Sequence, residues 1–460
     1  MRRLLAILLA FVLIAAACGD DSGTAPADAE SNAETSADEP EPTDEPADEP
    51  EPADDPEPTP DIELTDSYRG VTTDSITIGV AYIDAQRINE LFNIDLGITP
   101  VEEMYAAWSA ALNDRGGING RDVLIESGTF LPVGAAESDA ICLEFMEDKE
   151  IFVVIGQFLQ DNALCITEAN GHPYVGHFGE TPERQRRSGG LFFGLEINQV
   201  SQRVGGTQAM IEDGVFDDKR VAVVWQDPTD AQYAEAVLPV LATAGINVVE
   251  EVEVGAASTD DIDNDAKWDI TIERFISSDI DIILNLSGIV GVLDAVGRAE
   301  FEVEIAHTNG QTADGTTIIE ESTSSDEVRG RSFAATTFKP NLEESLADPE
   351  VQRCIAEFQA AFPDIEPDLE NSDWVGGFTN QCRAFAFTVL VLETAGGDIT
   401  PDTFVSAAEG LGEFSLPAMP EASIGPDKHS AGSALVRYVY DVEGAQYVRS
   451  GDSFIGAELG

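Results

Sequence analysis

VEEMYAAWSAALNDRGGINGRDVLIES, residues 101–127, carries two periods in immediate succession. In its first part Met104, Trp108, Ala111 and Leu112 recur at helical spacing. Residues 101–117 are therefore expected to form a helix that buries that stripe. The Gly116-Gly117 pair ends it, because glycine accepts the left-handed backbone of a helix C-cap without a steric penalty. RDVLIES then reads as a strand, and SITIGVAY (75–82) upstream reads as another, buried one. Strand, helix, glycine turn and strand in that order make a βαβ unit.

The alternation continues outward from this unit. A helix around AICLEFMEDK, strand IFVVIG, a helix through Cys165 and strand PYVGHF complete a first series. After LFFGLEIN a second series starts. It runs through a helix near 199–213, strand RVAVVWQ (220–226), helix DAQYAEAVLPVLATAG, strand INVVEEVEV, a helix around 267–277, strand DIDIILNLS (279–287), helix IVGVLDAVGRA and strand EVEIAHT. Short apolar runs alternating with longer amphipathic ones imply parallel sheets covered by helices. Helices dominate 347–410 and a β-like segment, SALVRYVYDVEGAQYVRS, closes the chain. That order implies a return to the first α/β unit and a further crossing to the second.

The N-terminus has a different chemistry. Arg2 and Arg3 precede an apolar run from Leu4 to Ala17, too short for a membrane span and of the right length for an export signal. Ala15, Ala16 and Ala17 directly before Cys18 resemble the lipobox of bacterial lipoproteins, which implies cleavage after residue 17 and acylation of Cys18. The lipid would hold the chain on the outer face of the cell membrane. Residues 19–67 follow as an acidic, proline-rich linker, built around DEPEPTDEPADEPEPADDPEPTP and without Lys or Arg. Such a segment cannot bury a core. Extended at about 3.1 Å per residue, it reaches of the order of 100 Å.

The net charge of −63 argues against nucleic acid, whose phosphates demand a basic surface. It is read as a solubilising surface. Four cysteines lie beyond the linker, Cys142, Cys165, Cys354 and Cys382. An exported location favours pairing, and their intervals do not suit zinc. Three pairings are open, of which the local one, Cys142–Cys165 and Cys354–Cys382, is taken as the expectation. No Gly-x-Ser-x-Gly elbow, Walker loop or His-Glu-x-x-His occurs, and GGING (116–120) follows a helix rather than a strand. His172, His177, His307 and His429 are scattered. Catalysis and a cofactor are therefore not expected. DIDNDAKWD (261–269) spaces Asp261, Asp263 and Asp265 as in a calcium loop, but Ala266 and Ile272 replace its glycine and glutamate. An acidic surface turn is expected there, with no metal.

Several segments together resemble the type I periplasmic binding proteins, specifically the branched-chain amino-acid-binding group that serves ABC importers. RGVTTDSITIGVAY is similar to that group's opening strand and ALNDRGGINGRDVLIE to its helix, turn and second strand. ICLEFMEDKEIFVVIG is similar to its disulfide-bearing helix and third strand, with Cys165 in the place of the partner cysteine. IGPDKHSAGSALVRYVYDVEGAQYV is similar to its closing turn and hairpin. The resemblance covers residues 69–455. It implies an α/β fold of two lobes joined by three crossings, with lobe one at 69–194 plus 338–414 and lobe two at 195–337 plus 415–460.

Ligands in open parallel sheets sit beyond the carboxyl ends of the strands. That rule selects Ile83 and Asp84; Gln157, Phe158, Gln160 and Asp161; His177 through Phe178 to Thr181; Gln226, Asp227 and Tyr233; Ser287 and Gly288; and Asn309 with Gln311. Backbone amides near Gln157 and Phe158, with the Thr181 hydroxyl, are expected to receive a carboxylate. Asp84, Asp161 or Asp227 is expected to pair with an ammonium, and Phe158, Phe178 and Tyr233 to wall the site. GQFLQDN after the third strand, with Gln157, Gln160 and Asp161, points away from leucine or valine and toward a more polar or larger solute. The resemblance implies a monomeric, lipid-anchored solute receptor delivering a small polar molecule, such as an amino acid or amide, to ABC permease subunits. The alternative is a ligand-sensing receptor of the same fold that signals to a membrane partner.

Overall fold

The computed structural model describes residues 63–92, 99–131, 136–158, 160–177, 179, 181–226, 230–256, 261–310, 322–451 and 454–455. The export signal, Cys18, the linker to residue 62, Phe178, Asp227 and Gln311 lie outside the described residues. Residues 63–67, the end of the expected linker, are described and tied to the body. The Thr65 carbonyl accepts from Arg121 Nη2 at 2.9 Å, and the Ser67 hydroxyl donates to the Ile399 carbonyl at 2.8 Å.

Strands β1 (Ser75–Ile83), β2 (Asp122–Phe130), β3 (Val153–Gly156), β4 (Tyr174–Gly176) and β5 (Phe192–Gly194) form a sheet in the order β2-β1-β3-β4-β5. Every pair in it is parallel. β3 is buried along its whole length, which is why it reads as an unbroken apolar run. The helix Val101–Asp114 covers the sheet with Met104, Tyr105, Trp108 and Leu112; of the expected stripe Ala111 is only half-buried, and Tyr105 takes its share of the core. Gly117 follows at φ +64°, where a Cβ would stand 1.9 Å from the Arg121 carbonyl oxygen, so only glycine makes this turn.

A second sheet repeats the pattern. β6 (Val221–Trp225), β7 (Val248–Glu253), β8 (Ile282–Asn285), β9 (Glu304–His307) and β10 (Ser332–Thr337) run parallel in the order β7-β6-β8-β9-β10. β11 (Gly412–Leu416) and β12 (Met419–Ile424) form a separate hairpin. β13 (Ala434–Asp441) then adds antiparallel to β10, and β14 (Gln446–Arg449) and β15 (Phe454–Ile455) pair with β13.

The core confirms that the chain returns. Val351, Phe358, Phe378, Phe387 and Phe404, from the helices Pro349–Ala361, Ser372–Ala395 and Pro401–Glu409, pack with Ile78 and Ile155 of the first sheet. Leu416, Met419 and Ile424 of the hairpin join the same core. Three connections therefore run between the sheets, at 195–198, 338–341 and 425–433. They lie side by side: Gly194 N–H donates to the His429 carbonyl at 2.9 Å, Ala431 N–H to the Gly194 carbonyl at 2.8 Å, and Phe338 N–H to the Ala434 carbonyl at 3.1 Å.

Both local disulfides are present, Cys142–Cys165 and Cys354–Cys382. Two expectations change. The helix through AICLEFMEDK ends as an α-helix at Leu143 and continues as a wider turn over Glu144–Asp148, and Cys165–Ala169 is a wide turn of the same kind. The acidic stretch 261–269 is not a surface turn but opens the helix Asp261–Ser277. Its carboxylates pair with cations, Asp263 with Lys267 at 2.8 Å and Asp265 with Arg298 at 3.0 Å. Among the described residues no group of three potential ligands could hold a metal, and no helix is long and apolar enough to cross a membrane.

Candidate functional site

Each sheet reverses its winding once, between β1 and β3 in the first and between β6 and β8 in the second. A crevice opens at such a point because the two connections leave in opposite directions. A hydrogen bond from a strand-end amide to a side chain crosses each crevice. Ile83 N–H donates to Gln157 Oε1 at 3.4 Å, and Gln226 N–H donates to Ser287 Oγ at 2.8 Å.

In the first sheet Asp84 is half-buried and caps the helix Ala85–Phe92, accepting from Arg87 N–H at 2.9 Å. The amides expected to receive a carboxylate already donate elsewhere. Gln157 N–H bonds the Ala81 carbonyl at 3.1 Å and Phe158 N–H bonds the Tyr174 hydroxyl at 3.0 Å. Phe158 is not a cleft wall but a core side chain. Its ring stacks on Tyr174 at 5.9 Å and meets Phe130 at 5.2 Å. Thr181 is buried and caps the helix Pro182–Arg187. Gln160 opens a single helical turn, Gln160–Ala163. Asp161 faces two guanidiniums, Arg184 Nε at 2.8 Å and Arg187 Nη1 at 2.7 Å. The bond from Arg184, aided by Arg187, holds its carboxyl below the usual range. That carboxylate is committed to these arginines rather than to an ammonium. Asp227 and Phe178 lie outside the described residues.

In the second sheet Ser287 is buried, and its hydroxyl donates to Asp230 Oδ2 at 2.5 Å while accepting from Gln226. Asn309 follows β9 and is half-buried. Tyr233 is buried with its hydroxyl on Gln199 Oε1. One face of its ring is taken by the Arg203 guanidinium, 4.5 Å from the ring centre. These residues converge around the carboxyl ends of β6, β8 and β9.

Two polar groups at this level, Arg203 and His307, were missed in the sequence, whereas His177, at the end of the first sheet's β4, was reached. Arg203 sits in the first turns of the helix Gln199–Glu212 and donates from Nε to the Leu286 carbonyl at 3.3 Å. His307 ends β9, fully buried, with Nδ1 at 3.3 Å from Asn285 Nδ2 and Nε2 without a hydrogen-bond partner. Burial pushes its pKa down to about 3. His177, just past β4, is buried with neither ring nitrogen bonded, and burial, reinforced by Arg383, pushes it down to about 4. The strand-end rule reaches His177 but after β9 begins at Asn309, two residues beyond His307. It misses Arg203 altogether, because that residue lies on the helix preceding β6. That helix runs antiparallel to the strands, so its first turn, like their last residues, faces the crevice.

A cavity of about 340 Å³ lies beside the edge strand β2, lined by Tyr82, Glu102, Glu126, Ser127 and Lys149 among others. None of the predicted ligand residues lines it.

A family model described as periplasmic binding protein matches residues 99–444. No curated protein sequence matches the chain. Among solved structures, a solute-binding protein of an ABC transporter from Rhodopseudomonas palustris HaA2, in complex with p-hydroxybenzoic acid, superposes with a TM-score of 0.60 at 16% identity, covering 84% of this chain and 98% of that one. An ABC transporter substrate-binding protein from Desulfitobacterium hafniense in complex with Leu gives 0.57 at 15% identity, covering 82% and 100%. A substrate-binding protein of an ABC transporter from Aeropyrum pernix gives 0.57 at 13% identity, covering 84% and 97%. At these identities the likeness is one of fold.

Proposed function

The chain belongs to the periplasmic binding protein family, a family of binding proteins rather than enzymes, and from that premise we propose that it is a lipid-anchored extracytoplasmic receptor that captures a small polar solute for an ABC importer. The observation that carries the reading is the repeated strand order, with a crevice at the winding reversal of each sheet. Three adjacent connections supply a hinge about which two crevices close on one solute. Lobe one comprises 69–194 plus 338–433 and lobe two 195–337 plus 434–460. The sequence reading split the hairpin 412–424 at residue 414; here it goes whole with lobe one because Leu416, Met419 and Ile424 pack in the first core.

Asp84 and Gln157 from lobe one and Asn309 from lobe two are the proposed solute contacts, with Gln160, Phe178 and Asp227 beside them on sequence grounds. Phe158, Asp161, Thr181, Ser287 and Tyr233 brace the loops that carry those contacts. Permease subunits are the proposed partners, the chain acting as a monomer on the outer face of the membrane through acylated Cys18. In the same preparation, incorporation of labelled fatty acid that is lost in Cys18→Ser reads the anchor.

Thermal unfolding of the purified chain against amino acids, polyamines, amides and organic acids tests the reading. A solute at a hundredfold excess over its Kd adds about 2.7 kcal/mol and raises the midpoint by degrees. A cooperative melt that no solute shifts would overturn solute capture.

A further inference from the structure

Arg203 is a buried cation in a strongly acidic chain, 6% exposed, yet among the described residues it has no carboxylate partner. Its bonds are to neutral groups: Nε to the Leu286 carbonyl at 3.3 Å, Nη1 to the Gln199 carbonyl at 3.4 Å and to Gln202 Oε1. No described hydrogen bond uses Nη2. The Tyr233 ring, under the guanidinium at 4.5 Å, fixes its plane, and Tyr233 is held in turn by Gln199. An arginine kept out of water and held by neutral acceptors retains most of its desolvation cost. With the Asp230 carboxylate of the same crevice bonded to Ser287, the guanidinium charge is not neutralised by a direct ion pair among the described residues.

The neighbouring groups have the same polarity. Gln202 passes its amide to Thr336 Oγ1 at 2.9 Å, and Thr336 bonds the Thr308 carbonyl at 3.3 Å. The Thr308 hydroxyl and His307 Nε2, both on fully buried residues, have no partner. In the tautomer that accepts from the Asn285 amide at Nδ1, His307 carries its hydrogen on Nε2. A guanidinium edge, an imidazole N–H and a hydroxyl, all underused, gather at the carboxyl ends of β8, β9 and β10. This is a donor set for an anion.

We propose that Arg203, oriented on Tyr233 and assisted by His307, receives the carboxylate of the solute, so that the receptor takes small organic acids or amino acids through their acid group, held by lobe two. The inference rests on the solute-receptor reading above. It reverses the expectation that the amides of lobe one receive the carboxylate, and those amides are already engaged.

Isothermal titration of the full chain with paired probes tests it: 4-hydroxybenzoate against 4-hydroxybenzamide, and leucine against leucinamide. The inference expects an acid to bind and its amide to bind at least 30-fold more weakly. Arg203→Gln should weaken the acid on the order of 100-fold. Arg203→Lys, which keeps the charge and loses the fork, should fall between them and keep the preference for the acid. Equal binding of acid and amide by the wild type would overturn the inference while leaving solute capture standing, and so would undiminished acid binding by Arg203→Gln. Because the acid-to-amide ratio is measured on the unaltered chain, a poorly folding variant does not rescue the claim. A midpoint raised by a polyamine or another solute without an acid group, with none raised by any acid of the panel, would overturn the inference while leaving solute capture standing.

Discussion

At the scale of single residues, the site's electrostatics come from burial. His177, His307 and, more weakly, His172 sit where desolvation favours the neutral ring, His177 at about 4 and His307 at about 3. In the unfolded chain each titrates near 6.5. Below that value the unfolded state takes up protons that the folded state refuses, so folding stability falls as pH drops from about 6.5 toward 4. Each group contributes up to about 1.4 kcal/mol per pH unit. Glu137, Asp161 and Glu250, all held below the usual carboxylate range, add a loss of the same sign further down, under pH 4.5. Melting curves from pH 7 to pH 4.5 should show a falling midpoint, with a shallower slope in His177→Gln. An unchanged slope in that variant would mean that the ring is charged or solvated in the fold.

The residue scale is also where the sequence was least legible. A rule about strand ends reaches Asp84 and Gln157, which do follow β1 and β3. Phe158 was found by the same rule and belongs to the core, since an aromatic side chain after a buried strand reads alike whether it faces a cleft or Tyr174. The partners of Asp161 lie on a later helix, and no local spacing announces them.

At the scale of elements, apolar runs and glycine stops located the strands and most helices, including the helix Val101–Asp114 with its Gly117 turn. Strand order was not legible, because it is decided by which helix covers which face, a contact between distant segments. The wide turns at Glu144–Asp148 and Cys165–Ala169 escaped because an extra residue per turn slips the 3.6 period that identifies a helix. Those irregular turns flank the Cys142–Cys165 bridge, while Cys354–Cys382 joins two long helices of the first core. Closing separations of 23 and 28 residues, each bridge restricts the unfolded chain by about 3 kcal/mol. Cys354→Ser with Cys382→Ser should lower stability in denaturant by that order without shifting solute affinity more than about twofold, because the bridge lies in the helical core, away from both crevices. A large loss of affinity would place these helices in the solute's path.

At the scale of the whole molecule, an acidic chain of net charge −63 keeps a buried arginine, without an ion pair among the described residues, at one cleft wall, and its two lobes are joined by three short connections lying side by side. The first feature selects the solute's charge and the second lets both lobes contribute to its capture. The sequence showed the second through its returning helices and closing hairpin. It could not show the first, because which carboxylates meet Arg203 is decided by the fold, and among the described residues none does. The measurement that reaches the central claim most directly is hydrogen exchange on the full chain, with and without the panel solute that raises the unfolding midpoint most. Capture between lobes predicts new protection on both sides of the cleft, at residues 83–84 and 157 in lobe one and at 199–203, 226 and 285–287 in lobe two. Protection confined to one lobe, or none at either crevice while the midpoint still rises, would contradict it.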